Sequence, residues 1–133
     1  MYDVRVGSIV SDELGVPITH ATLSNDANCL LVSSLDDRIR LLDRESGQVL
    51  ASYKGHRNRD YRIVSTLSND DAYVVSGSED GRIVVWDLVE CGVVEDWIAH
   101  QRATMCTAYH PTEHQISSGG GDGVLNIWRT PII

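Results

Sequence analysis

The sequence predicts an all-β protein of about three four-stranded antiparallel blades, a partial β-propeller. Three observations point there. The chain repeats itself with a period of 42 to 44 residues. Each repeat divides into about four short, β-branched runs, and turn residues separate one run from the next.

The repeat is read by sliding the chain against itself. At a shift of 44, "LSND" at 23–26 falls on "LSND" at 67–70. Ser34, Asp36, Arg38, Ile39 and Asp43 then meet Ser78, Asp80, Arg82, Ile83 and Asp87, and His56 meets His100. At a shift of 42, "SGSEDGRIVVW" falls on "SGGGDGVLNIW" (118–128). Before residue 16 the best shift is 40, placing "YDVRVGSIV" (2–10) over "LDRESGQVL" (42–50). The units are therefore about 2–54, 55–99 and 100–133, and the N-terminal strand belongs to a preceding blade. All the length differences fall between the Gly-His position and the next strand, as for a surface loop on a fixed scaffold.

In chain order, the first unit offers "ITHATL", "CLLVSS", "RIRLL" and "QVLASY", divided by "SND", "DD" and "ESG". The second offers "RIVSTL", "AYVVSG", "RIVVW" and "VVEDWI". The third gives "TMCTAY", "QISSG" and "VLNIW" and then ends. Runs of this length, rich in Val, Ile and Thr and bounded by Asn, Asp and Gly, read as strands and turns. No stretch carries helix periodicity with caps. Three blades alone expose blade faces and sheet edges, an aggregation hazard. The chain is therefore expected to be a piece of a longer propeller, or else to assemble with a second copy to close the ring.

Composition narrows the function classes. The net charge of −8 argues against general nucleic-acid binding, which wants a basic face. A local exception is Lys54, Arg57, Arg59 and Arg62, four of the eleven basic residues within nine positions. They read as a solvated loop or as a contact for an acidic partner. No run of 18 apolar residues or basic leader is present, so a membrane span and a secretory signal are not expected. Three cysteines without a CxxC pair fit reduced thiols in a reducing compartment.

His56, Ser76 and Asp80 resemble a hydrolase triad at first reading. They recur, however, as His100, Ser118 and Asp122, each set joined by a tryptophan, Trp86 or Trp128. A nucleophile occurs once per site, whereas a structural device repeats with its unit. Indole N–H donates, carboxylate accepts, and hydroxyl and neutral imidazole do both, so the four types can close a buried hydrogen-bond chain. The eight residues are expected to brace the fold, and no catalytic residue is assigned. A zinc site from Cys106, His110 and His114 would need a helix to align them, and the repeat puts a turn there. "GGGDG" (119–123) lacks the lysine and helix of a phosphate loop and reads as a hairpin turn. No metal or cofactor is expected.

Gly55-His56 and Trp86-Asp87, with Asp80-Gly81 between, resemble the WD-repeat family. The third unit keeps His100, Asp122-Gly123 and Trp128 but has Ala99 and Arg129 beside them; the first has Val16, Val32 and Leu42 in place of His, Ser and Trp. The resemblance implies a propeller with that structural tetrad. "SSLDDRIRLLDRESGQVL", "YKGH", "SEDGRIVVWDLVE" and "AYHPTE" are similar to the mitogen-activated protein kinase organiser branch of the family. That likeness implies a non-catalytic scaffold for other proteins, with kinase-cascade or messenger-RNA splicing components as partners and a place in cytoplasm and nucleus. The loops after Gly-His vary most, so Arg57, Arg59, Asp60, Tyr61 and Glu79 are the candidate partner contacts. The rival readings are a subunit that touches RNA through Arg57, Arg59, Arg62 and Tyr61, and a serine hydrolase built on Ser76.

Overall fold

The computed structural model describes residues 2–3, 8–9 and 15–129. Its described elements are all strands. β1 (Tyr2–Asp3) pairs with β2 (Ser8–Ile9) in a short antiparallel ladder. The first blade is β3 (Ile18–Leu23), β4 (Cys29–Ser34), β5 (Arg38–Asp43) and β6 (Val49–Lys54), hydrogen-bonded in that order. The second is β7 (Ser65–Leu67), β8 (Tyr73–Gly77), β9 (Arg82–Asp87) and β10 (Val93–Ile98). The third sheet holds β11 (Thr104–Tyr109), β12 (Gln115–Gly120) and β13 (Leu125–Arg129).

Most strands fall within a residue or two of the predicted runs. β7 is the exception: it begins at Ser65, three residues later than "RIVSTL" suggests. The reason lies in the neighbouring blade. Val64 donates its N–H to the Met105 carbonyl, and its own carbonyl accepts from the Thr107 hydroxyl, so the segment before Ser65 bonds sideways.

Two apolar layers join the blades. Between the first and second lie Leu31, Ile39, Leu41, Tyr53, Leu67, Val74, Val84 and Trp86. Between the second and third lie Val75, Ile83, Val85 and Ile116, with Trp97, Tyr109 and Trp128 at their margin. β9 feeds both, because alternate residues of a strand point to opposite faces. That is why "IVVW" (83–86) is apolar throughout rather than alternating. The repeat is visible in the aromatics: Trp86 meets Tyr53 of the preceding outer strand at 6.2 Å, and Trp128 meets Trp97 at 5.6 Å.

Four-stranded meanders place two kinds of connection at the same end. The turns 35–37, 78–81 and 121–124 lie there, together with the blade-to-blade connections 55–64 and 99–103. The predicted brace histidines, serines and aspartates lie on or near these segments, and the indole N–H groups of Trp86 and Trp128, further along β9 and β13, reach Lys54 and Ser118.

Candidate interaction face

The connection after Gly55-His56 is held from two blades. Asp37 occupies the turn of the first blade with φ of 60°, where the second and third blades have Gly81 and Gly123. Its carboxylate accepts the Asn58 N–H at 2.7 Å and the Arg59 Nε–H at 2.7 Å. From the second blade, Glu79 Oε2 accepts three successive backbone N–H groups, those of Arg59, Asp60 and Tyr61, at 2.7 to 3.0 Å. Such a nest of N–H groups is an anion site, here filled by the chain's own carboxylate. Burial pushes the Asp37 carboxyl up, but the Asn58 N–H and the Arg59 guanidinium outweigh it and hold its pKa below the usual value.

Of the five candidate contacts, Glu79 is corrected on this geometry. Its side chain is 5 % exposed and its Oε2 is consumed inside the loop, so it shapes the face rather than meeting a partner. Arg57 and Arg59 have side chains 64 % and 68 % exposed, and Asp60 and Tyr61 also lie at the surface.

The third unit assembles its four brace residues. His100 Nε2 lies 2.9 Å from Ser118 Oγ, and its Nδ1 lies 3.2 Å from Asp122 Oδ1. Trp128 Nε1–H donates to the same Ser118 Oγ at 2.9 Å. With Nδ1–H directed at the carboxylate, Nε2 accepts from the serine hydroxyl. The serine, histidine and aspartate thus have the order of a catalytic triad. Yet Ser118 is 1 % exposed and its oxygen is pinned by the indole, so no acyl group can reach it.

The second unit does not assemble, which corrects the expectation for His56, Ser76, Asp80 and Trp86. Ser76 Oγ donates to the Gly77 carbonyl, Trp86 Nε1–H donates to the Lys54 carbonyl, and Asp80 pairs with Arg82 Nε at 2.9 Å. His56 is buried, with its ring edge-on to Trp86 at 5.3 Å and neither nitrogen bonded to a protein group. Two replacements account for the difference. A Cβ at Gly120 would lie 2.5 Å from His100 Nδ1, so that seat for the imidazole requires glycine; the matching residue is Ser78, whose hydroxyl accepts the Arg57 N–H. Val124 is replaced by Arg82, which draws Asp80 and Asp96 together and donates to the Gly55 carbonyl. Burial lowers the His56 pKa to about 4, leaving the ring neutral. Ser76 and His56 share no hydrogen bond.

Sequence reasoning missed Asp37 and Asn58. The signal was present: a lone Asp-Asp turn where the other units have Asp-Gly. It also missed Arg102 and Met105, which with Tyr61, Glu79, Ala103 and Gly121 line an open groove of about 490 Å³ on this end. Cys106 and His110 are exposed, and His110 Nδ1 caps its own turn by accepting from the Thr112 and Glu113 N–H groups. His114 bonds the Tyr109 hydroxyl instead of joining them.

Stacked antiparallel blades, a His-Ser-Asp-Trp brace and variable loops gathered at one end define a WD-type propeller. Comparison with known proteins agrees. The family model described as "WD domain, G-beta repeat" matches residues 47–87 and 92–129, and the chain belongs to the WD-repeat family. It is 44 % identical over 128 residues to WD repeat domain-containing protein 83 of Homo sapiens, covering 96 % of this chain and 40 % of that protein. The Dictyostelium discoideum homolog is 32 % identical over 127 residues, covering 96 % and 39 %. The chain thus spans about 40 % of the length of these relatives. Among solved structures, U3-55K superposes with a TM-score of 0.78 at 20 % identity, over 90 % of this chain and 38 % of that one, a likeness of fold.

Proposed function

We propose that this protein is a non-catalytic scaffold that binds other proteins through the face formed by residues 55–62 and the adjoining turns. One observation carries the reading. The loop is locked from beneath by Asp37 and Glu79 while Arg57, Arg59 and Tyr61 project outward, so binding groups are displayed at little entropic cost. Arg and Tyr are the residue types that most often dominate such contacts. The likeness of "SEDGRIVVWDLVE" and its neighbours to the kinase organiser supports partners in a mitogen-activated kinase cascade or in the splicing machinery. It supports residence in cytoplasm and nucleus as well. Further blades or a second copy would cover the outer face of the third sheet.

The test is a pull-down of purified kinase-cascade and splicing components by the wild-type protein and by Arg57→Glu/Arg59→Glu. The expected result is at least about a tenfold loss of capture with only a small fall in melting temperature from the exposed Arg59–Asp37 pair, since reversing a charge removes an attraction and adds a repulsion. Undiminished capture would remove this face from the account. The RNA reading rests on Arg57, Arg59, Arg62 and Tyr61 lying on one connection; absence of retention on immobilised RNA at low salt ends it.

A further inference from the structure

The groove beside the 55–62 loop has a charge pattern that specifies its ligand. Its floor is apolar, made by Ala103, Met105 and the backbone of Gly121, and the Tyr61 ring, 52 % exposed, stands at its margin. Arg102 and Glu79 line it, and Arg57 borders it, with Nε 4.0 Å from Glu79. The carboxylates of this end are spent internally. Glu79 Oε2 is filled by three N–H groups and Asp37 by Asn58 and Arg59. Asp80 and Asp96 share Arg82, and Asp122 takes His100 and the Gln101 and Val124 N–H groups. Only Asp60 on this loop leaves its carboxylate without an ion pair among the described residues. Arg57 and Arg59 already face Glu79 and Asp37, and Arg62 donates to the Thr19 carbonyl of the first blade; Arg102, exposed and lining the groove, has no carboxylate within ion-pair distance among the described residues. A chain with net charge −8 therefore offers here two exposed guanidiniums, Arg57 and Arg102, beside an apolar floor, with the Glu79 carboxylate turned to the loop's N–H groups.

We infer that this groove binds an extended acidic peptide segment of a partner protein. Its carboxylates meet Arg57 and Arg102, and an apolar side chain between them rests on Met105 beside Tyr61. Guanidinium groups take carboxylates in two-pronged hydrogen bonds, and they do so best beside apolar surface that excludes water. A nucleic acid would face the repulsion of the other acidic surfaces and finds one aromatic ring rather than a row of them for its bases. The inference rests on the scaffold reading and adds the chemistry of the partner.

The test is fluorescence anisotropy with a labelled twelve-residue peptide alternating glutamate and leucine. Controls are the same peptide with lysine for glutamate, and an oligouridylate. The protein is compared with Arg57→Glu, Arg102→Glu and Met105→Ser, each verified by its melting curve. The expected result is saturable binding of the acidic peptide only, weakened about tenfold or more by either charge reversal, lessened by Met105→Ser, and falling with salt. Equal binding of the lysine peptide, stronger binding of oligouridylate, or indifference to the reversals would overturn it. Such a failure leaves the scaffold reading standing if Arg57→Glu/Arg59→Glu still loses the folded partners in the pull-down.

Discussion

The two histidines that follow the blades' outer strands show how far a single residue's neighbours decide its role. His100 finds glycine at 120 and bonds on both ring nitrogens, while His56 meets Ser78 and Arg82 and bonds on neither. The buried, neutral His56 makes stability depend on pH. Its pKa falls from 6.5 in the unfolded chain to about 4 in the fold. The unfolded state therefore takes up the proton first, and the contribution, whole above pH 6.5, is lost as pH drops from 6.5 toward 4. The full loss is of order 3 kcal/mol, at 1.36 kcal/mol per unit. Urea unfolding at pH 7.5 and pH 4.5 should show a decline that His56→Phe reduces; equal declines in the two proteins would assign it to other groups. The same residues mark the limit of the sequence. Repetition located both histidines, but it could not foresee that one serine for glycine and one arginine for valine would divert the second unit's partners.

At the scale of the element, strands were legible and the binding loop was not. Val, Ile and Thr in runs between Asn, Asp and Gly leave the backbone few alternatives, so β3 to β13 fall close to their predicted places. β7 is short because Val64 bonds to the third blade, a long-range choice invisible in a local pattern. The 55–62 loop owes its shape to Asp37 and Glu79, about twenty residues away in either direction, and read from sequence alone Glu79 looked like a surface contact. Its carboxylate is the centre of that loop. Glu79→Gln weakens the three N–H bonds by removing their charge, a loss of about 1–2 kcal/mol locally. Hydrogen exchange should show the amides of Arg59, Asp60 and Tyr61 exchanging about tenfold faster or more, with the strands of the first blade unchanged. Unaltered exchange at those amides would show that the loop stands without the carboxylate.

For the whole molecule, the middle blade explains why three units cohere. Both of its faces are covered, so Ile83 and Val85 are fully buried, whereas their counterparts Leu125 and Ile127 in the third sheet are 73 % and 60 % exposed. The apolar pattern of a repeat is written for a neighbour on each side. The fold class could be read from periodicity alone because every unit repeats the same solution. The binding face could not, since it arises where different units meet.

The central claim is that Ser118, unlike its repeat counterpart Ser76, belongs to a structural brace that stiffens the platform. Equilibrium unfolding of Ser118→Ala against Ser76→Ala tests it most directly. Ser118 Oγ serves both His100 and Trp128, so its loss strands two buried groups and should cost about 2–4 kcal/mol. Ser76 bonds only the adjacent Gly77 carbonyl, and its loss should cost about 1 kcal/mol or less. Ser118→Ala unfolding at the wild-type midpoint would contradict the account.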